Sequence, residues 1–434
     1  MLPRVTATDM RIALLFTILP VLPSSSTPNV RAGECDWPEF RGPTGQGLSP
    51  ASSPPLEWSP NRNVSWRVEI PGKGWSSPIV CGGKIFLTTA QPEAGNGGEQ
   101  GSQSLRALRF DARSGALDWN VEVFRHEGAR IHAKNSHASP TPLSDGERVY
   151  VHYGTHGTAA LDFDGRILWT NRELRYEPVH GSGGSPALAG RAIVVHCDGA
   201  DRQFVAALDR ETGKILWKKD RPWKPSKGFS FSTPLLIDVG DGKELISPGS
   251  GGVVAYDPEN GDEIWRVRYG DGYSVVPRPV HGQGLIFVCT GYEDPALLAI
   301  RTGGRGDVTE THVAWRRDRG VPHNPSPLLV GDRLTIVSDR GIATCLDART
   351  GKELWQRRLG GSMSASPLAA LGRIYFPSEE GETIVLRAEG RGEELARNDL
   401  GERTLASPAV AGSAIFIRTE KHLFRIEEPK KSGG

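Results

Sequence analysis

Long apolar runs are scarce in this chain of 434 residues. The longest, Ile12 to Leu22, falls short of the ~20 residues that span a bilayer. A surplus charge of one sign is also lacking: 52 Lys+Arg stand against 51 Asp+Glu, a net charge of +1. Binding a phosphate backbone takes clustered, uncompensated cations, so nucleic acid is excluded as a partner. Cysteine is sparse, at five residues, with no Cys-x-x-Cys to hold zinc or run redox chemistry. Cys81, Cys197, Cys289 and Cys345 lie in or beside Val/Ile/Leu-rich runs and are expected as buried free thiols. Apolar residues at the 3.6 spacing of helices are missing too. What is abundant is Gly, at 53, and Pro, at 32, spread between short apolar runs. That pattern means many turns and an all-β protein.

The apolar run follows Arg11 and precedes Ser24, Ser25 and Ser26. A basic start, a short apolar stretch and a small polar exit describe a secretory leader. Residues 1–33 are therefore expected to be a signal peptide, with Met1 or Met10 as the start. Residues 34–60 are expected to be an N-terminal extension, 61–428 the folded body and 429–434 a disordered tail. Cys35 follows Glu34, and an acidic residue there does not suit a lipidation motif.

Two signals recur along the body. The first is Ser-Pro or a variant, followed by an apolar run: Ser77-Pro78, Ser139-Pro140, Ser185-Pro186, Thr233-Pro234, Arg278-Pro279, Ser326-Pro327, Ser366-Pro367 and Ser407-Pro408. The second is an Asp, a Gly-containing turn, an apolar residue and Trp. It runs from Asp111 to Trp119, Asp209 to Trp217, Asp257 to Trp265 and Asp347 to Trp355, with looser copies ending at Trp169 and Trp315. A degenerate copy from Ala388 to Ala396 has lost its Trp. Pro suits the first residue of a strand, and Gly supplies the positive φ of a tight hairpin. Three to four antiparallel strands per ~45 residues make the blade of a β-propeller. The expected fold is all-β, an eight-bladed propeller. The strand of Trp66 has no unit before it, and is expected to complete the last blade, closing the ring by pairing N- and C-terminal segments. Gln91 to Ser104, polar and Gly-rich, reads as a loop insertion in blade 1.

The Asp-x-x-Thr-Gly-Lys-x-x-Trp units resemble the repeats of pyrroloquinoline quinone (PQQ) dehydrogenases and of their non-catalytic, BamB-like relatives. The opening Asp36 to Pro50 (DWPEFRGPTGQGLSP) is similar to the start of secreted PQQ-like propellers of planctomycete-type bacteria. The resemblance covers nearly all of the chain after the leader. It implies the fold, whereas the repeat is a packing unit and by itself implies no activity.

A catalytic site of the dehydrogenase branch implies an adjacent Cys pair against the quinone, a Trp below it, and Glu, Asn and Asp on calcium. No adjacent Cys pair occurs here, so neither PQQ nor calcium is expected. Asp238 to Glu244 reads as a hairpin rather than a metal loop. No Gly-x-Ser-x-Gly elbow meets a helix, and His180 to Gly184 reads as the approach to an inner strand, so no catalytic residue is assigned. The segments before each Ser-Pro converge on one end of a propeller's channel. They carry Lys73, Trp75, Asn135, His137, His180, Phe231, Tyr273, Arg278, His323, Asn324 and Arg403, which are the candidate ligand-binding residues. The expected function is an exported, monomeric, non-catalytic scaffold that binds proteins or peptides in the periplasm or cell envelope. A divergent PQQ-dependent dehydrogenase and a carbohydrate-binding propeller are the alternatives.

Overall fold

Strands alternating with tight turns produce eight antiparallel sheets in the computed structural model, which describes Met1 and residues 34–49, 52–93, 101–128 and 131–429. The expected leader, the tip of the blade 1 insertion and the end of the tail lie outside the described residues. Each sheet holds a blade of four antiparallel strands, inside to outside in chain order in blades 1 to 7, and two sheets carry a fifth, parallel strand: Leu48–Ser49 on blade 7 and Gly306–Asp307 on blade 4. Blade 3 is typical: Ala187–Ala189, Ala192–Asp198, Gln203–Asp209 and Ile215–Asp220. The inner three strands are almost wholly buried, because both faces of a blade pack on neighbours.

The eighth blade draws its outer strand from the other end of the chain. Val64–Glu69 pairs antiparallel with His422–Ile426, and the Trp66 ring lies 6.1 Å from that of Phe416. Blade 7, the degenerate unit, is complete, with Ala396 opposite Val385 in its outer strand. In blade 1, Gln91 pairs with Ser104 and Pro92 with Gln103. The ends expected to belong to a loop instead extend a long hairpin, because strands Lys84–Pro92 and Gln103–Asp111 continue past the blade's rim.

Both sequence signals turn out to be contacts between blades. The Asp of each turn accepts hydrogen bonds from the turn: Asp111 Oδ1 from the Ser114 N–H at 2.8 Å, Asp209 Oδ1 from the Thr212 N–H at 2.9 Å. The turn's Gly then receives the Trp of the preceding blade. A Cβ on Gly261 would stand 2.6 Å from the Trp217 ring, and the Trp217 indole N–H donates to the Pro258 carbonyl at 3.1 Å. Trp119, Trp169 and Trp315 repeat that hydrogen bond to the next turn. Trp66 does so across the ring's seam, to Ala112 of blade 1. Trp265 differs: its N–H is held by Glu244 of its own blade at 2.7 Å.

The Ser-Pro signal builds a hydrogen-bonded girdle around the channel. The Ser77 N–H donates to the Thr141 hydroxyl at 2.9 Å, Thr141 to Ser185 at 2.9 Å and Ser185 to Thr233 at 3.0 Å. Arg278 donates its N–H to Ser326 at 3.0 Å, Ser326 to Ser366 at 3.0 Å, Ser366 to Ser407 at 2.9 Å, and Ser407 back to Ser77 at 3.1 Å. One link is different. Arg278 has no hydroxyl to offer Thr233, and the Ser232 hydroxyl bonds to the Pro277 carbonyl at 2.9 Å instead. In blade 2 the girdle residue is Thr141, followed by Pro142. The expected Ser139-Pro140 is therefore two residues out of phase, and Ser139 bonds locally to Asn135 at 2.5 Å.

The turns give the fold a defined acid limit. Burial would raise the Asp111 carboxyl, but the Ser114 N–H and the Lys84 ammonium outweigh it and hold the group at about 2. Asp209 is likewise lowered: Arg191 and Thr212 overcome its burial. A carboxylate depressed below its unfolded value of ~3.9 stabilises the fold above that pH, and the stabilisation is lost as pH falls through the folded value. Tm is therefore expected to fall between about pH 4 and pH 2, and Asp111→Asn to flatten the slope in a pH series of thermal melts.

Candidate functional site

Inside the girdle lies a cavity of 360 Å³, lined by the hydroxyl residues Ser77, Thr141, Ser326, Ser366 and Ser407 together with a set of rings. Six of the eleven candidate residues line it: Trp75, Asn135, His180, Phe231, Tyr273 and Asn324. Lys73, His137 and Arg403 line an adjoining pocket of 180 Å³ that shares Trp75 and Asn135. His323 stands behind the wall, stacked on Tyr292 at 4.1 Å, with its backbone N–H on Asp339 at 2.7 Å.

The rings are held from behind. The Arg403 guanidinium sits 5.6 Å from the centre of Trp75, and the Lys227 ammonium 4.2 Å from that of Tyr273. His180 meets Phe229 edge-on at 5.1 Å, and Phe229 meets Tyr273 edge-on at 5.3 Å. The wall's amides serve as fasteners. Asn135 donates to the His180 carbonyl at 2.7 Å, and Asn324 donates to Asp339 at 2.6 Å. Lys134 lines the cavity and reaches Glu379 of blade 7 at 2.6 Å, so the blade 2 approach is tied across the ring. Burial and the neighbouring His132 lower the His180 pKa, which favours the neutral imidazole at pH 7.

Phe40, from the N-terminal extension, also lines the cavity. Its neighbours Pro38, Glu39, Pro43, Thr44 and Gln46 line a different hollow of 410 Å³, so the segment separates the two. The extension is thus a plug. Trp37 pairs with Val80 of blade 1, and Leu48–Ser49 pairs parallel with Leu368–Ala370 of blade 7. Cys35 is joined to Cys81 by a disulfide. This corrects the expectation of a free thiol at Cys81; Cys197, Cys289 and Cys345 are free and buried.

Arg278 is a second correction. Expected at the cavity's mouth, it is 1% exposed and serves the plug. It donates to the Phe40 carbonyl at 2.6 Å and the Pro234 carbonyl at 2.8 Å, and pairs with Glu39 at 3.3 Å. Gly45 lies flat on its guanidinium, where any Cβ would collide. The residues that sequence reasoning missed are Phe40, His132, Lys134 and Tyr292. His132 and Lys134 fall just before Asn135, within the blade 2 approach, so a wider window there would have found them. Phe40 and Tyr292 lie outside the repeat signal altogether.

The sequence profile described as "Outer membrane protein assembly factor BamB" matches residues 106–313, 307–391 and 339–428. The chain belongs to this family. It is 24% identical over 396 residues to the outer membrane protein assembly factor BamB of Burkholderia pseudomallei, covering 85% of this chain and 89% of that one. Among solved structures it resembles BamB from Moraxella catarrhalis, with TM-score 0.56 and 15% identity over 85% of this chain and all of the other. It also resembles quinohemoprotein alcohol dehydrogenase from Comamonas testosteroni, with TM-score 0.66 and 11% identity over 94% and 83% of the two chains. At these identities the structural likenesses speak for the fold alone.

The dehydrogenase branch of the resemblance raises the question of a quinone and calcium. Calcium takes carboxylate and carbonyl oxygens, and the residues lining the cavity include no Asp or Glu. Nor do the described residues hold a group of three His, Cys, Asp or Glu able to bind a metal. The disulfide lies in the plug's anchor and joins positions 46 residues apart, not adjacent ones. The residues present do not fit that cofactor pair.

Proposed function

We propose that this chain is an exported, non-catalytic scaffold of the cell envelope, and that the channel cavity docks a peptide segment of a partner protein. The observation that carries the proposal is the character of the cavity in a BamB-family propeller: rings and amides line it, with no carboxylate and with its one lysine already paired. Such a wall offers stacking surface, and His132 and His180 stand in it as part of the ring set, within 5.1 Å of each other. The plug segment walls the cavity off from the hollow on its other side. Export is supported by the leader pattern and by the Cys35–Cys81 disulfide, since such bonds persist in oxidising compartments.

The test is affinity capture with the full chain from envelope extracts under mild crosslinking, followed by mapping of the crosslinked peptide. Trp75→Ala and Phe231→Ala are each expected to weaken that peptide's affinity by about tenfold, read by fluorescence anisotropy, with thermal melts showing the variants folded. Recovery of no protein partner would count against the proposal. A quinone absorbance after mixing with PQQ and calcium would favour the dehydrogenase alternative.

A further inference from the structure

The plug contains a buried cation without a counter-charge. Arg41 is 2% exposed and Arg278 is 1% exposed, and Glu39 is the one carboxylate paired with either among the described residues. Two cations against one carboxylate leave +1. Arg278 spends its guanidinium on Glu39 and on the Phe40 and Pro234 carbonyls. Arg41 donates only Nη2, to the Gln46 carbonyl at 2.9 Å. Its Nε and Nη1 are buried with no hydrogen-bond partner among the described residues. Burial and the nearby Arg278 lower its pKa, but only to about 9, so it is charged at neutral pH. A charged guanidinium out of water with unused donors is strongly disfavoured.

We propose that Arg41 binds a small monovalent inorganic anion, of the chloride class, at the foot of the central channel. One negative charge cancels the residue of the Arg41–Arg278–Glu39 group. The segment packs closely on the guanidinium: a Cβ on Gly47 would stand 2.7 Å from Arg41 Nη2 and 3.2 Å from Nε. A compact halide suits such a place better than a phosphate, which would also over-compensate the charge. The anion explains why the segment from Arg41 to Gly47 can bury two arginines for one acid. It rests on neither the family nor the docking of a peptide.

The test uses the full chain and two probes. Crystals soaked in sodium bromide are expected to show an anomalous peak in contact with an Arg41 nitrogen. In solution, sodium chloride is expected to raise Tm above sodium gluconate of equal ionic strength, by about 3 °C at a hundredfold excess over Kd. Arg41→Met is expected to abolish that difference. Density for water alone beside Arg41, equal Tm in the two salts, or an undiminished chloride response in Arg41→Met would overturn the proposal. If Arg41→Met does not fold, the bromide peak in the unaltered protein decides.

Discussion

Arg278→Met is expected to destabilise the protein by about 3–5 kcal/mol. The side chain is fully buried, and its removal takes the Arg278 donor from three groups at once: the Phe40 and Pro234 carbonyls and the Glu39 carboxylate. Burial already raises the Glu39 pKa, with the Arg278 charge pulling against it. Without that charge the carboxyl must protonate or draw the plug apart to reach water. Chemical denaturation followed by tryptophan fluorescence measures the cost over the whole ring, whose buried tryptophans include Trp37 of the plug. A loss under 1 kcal/mol would mean that Arg278 is not holding the plug. Peptide binding by the folded fraction separates the two roles this residue could have. A ligand-contacting Arg278 would lower affinity directly, whereas a plug residue acts only as far as Phe40 shifts.

The misplacement of Arg278 shows where sequence reasoning stops. The eight-bladed ring was legible because both repeated signals are contacts between blades that most blades make. Six of the Trp residues pack on a bare Gly turn of the next blade, and all but one link of the girdle pass an N–H to a Ser or Thr hydroxyl before Pro. Patterns imposed on every repeat leave a period in the chain. The site's inward-facing rings were legible because Trp75, His180, Phe231 and Tyr273 all fall within the five residues before the girdle position of their repeats. Arg278 holds the girdle position itself, and its backbone N–H does join the girdle. Its side chain turns toward the plug instead, because the acceptors lie there, and no periodicity records a side chain's direction. Blade 2 shows the complementary limit. It offers two Ser/Thr-Pro pairs in succession, and only the Ser77 N–H selects Thr141 over Ser139. Phe40 and the Cys35–Cys81 bond depend on a segment outside the repeat that meets the ring only after folding.

Removing the disulfide is expected to cost about 4 kcal/mol, because the bond closes a loop of 46 residues and limits the unfolded chain. Cys35→Ser serves better than reduction, since Cys197, Cys289 and Cys345 are buried and remain thiols either way. Two outcomes are coupled. If the bond acts through the unfolded state, the unfolded chain expands when it is lost, and the denaturant m-value rises as the midpoint falls. The plug's remaining contacts, from Trp37 on Val80 to the strand pair at Leu48, stay in place, so Phe40 still closes the cavity and peptide affinity is unchanged. If instead the bond pins the native plug, the m-value holds steady and peptide affinity falls, because the cavity loses its floor before the ring opens. The Arg278→Met variant thus tests the middle of the plug and the Cys35→Ser variant its first residues.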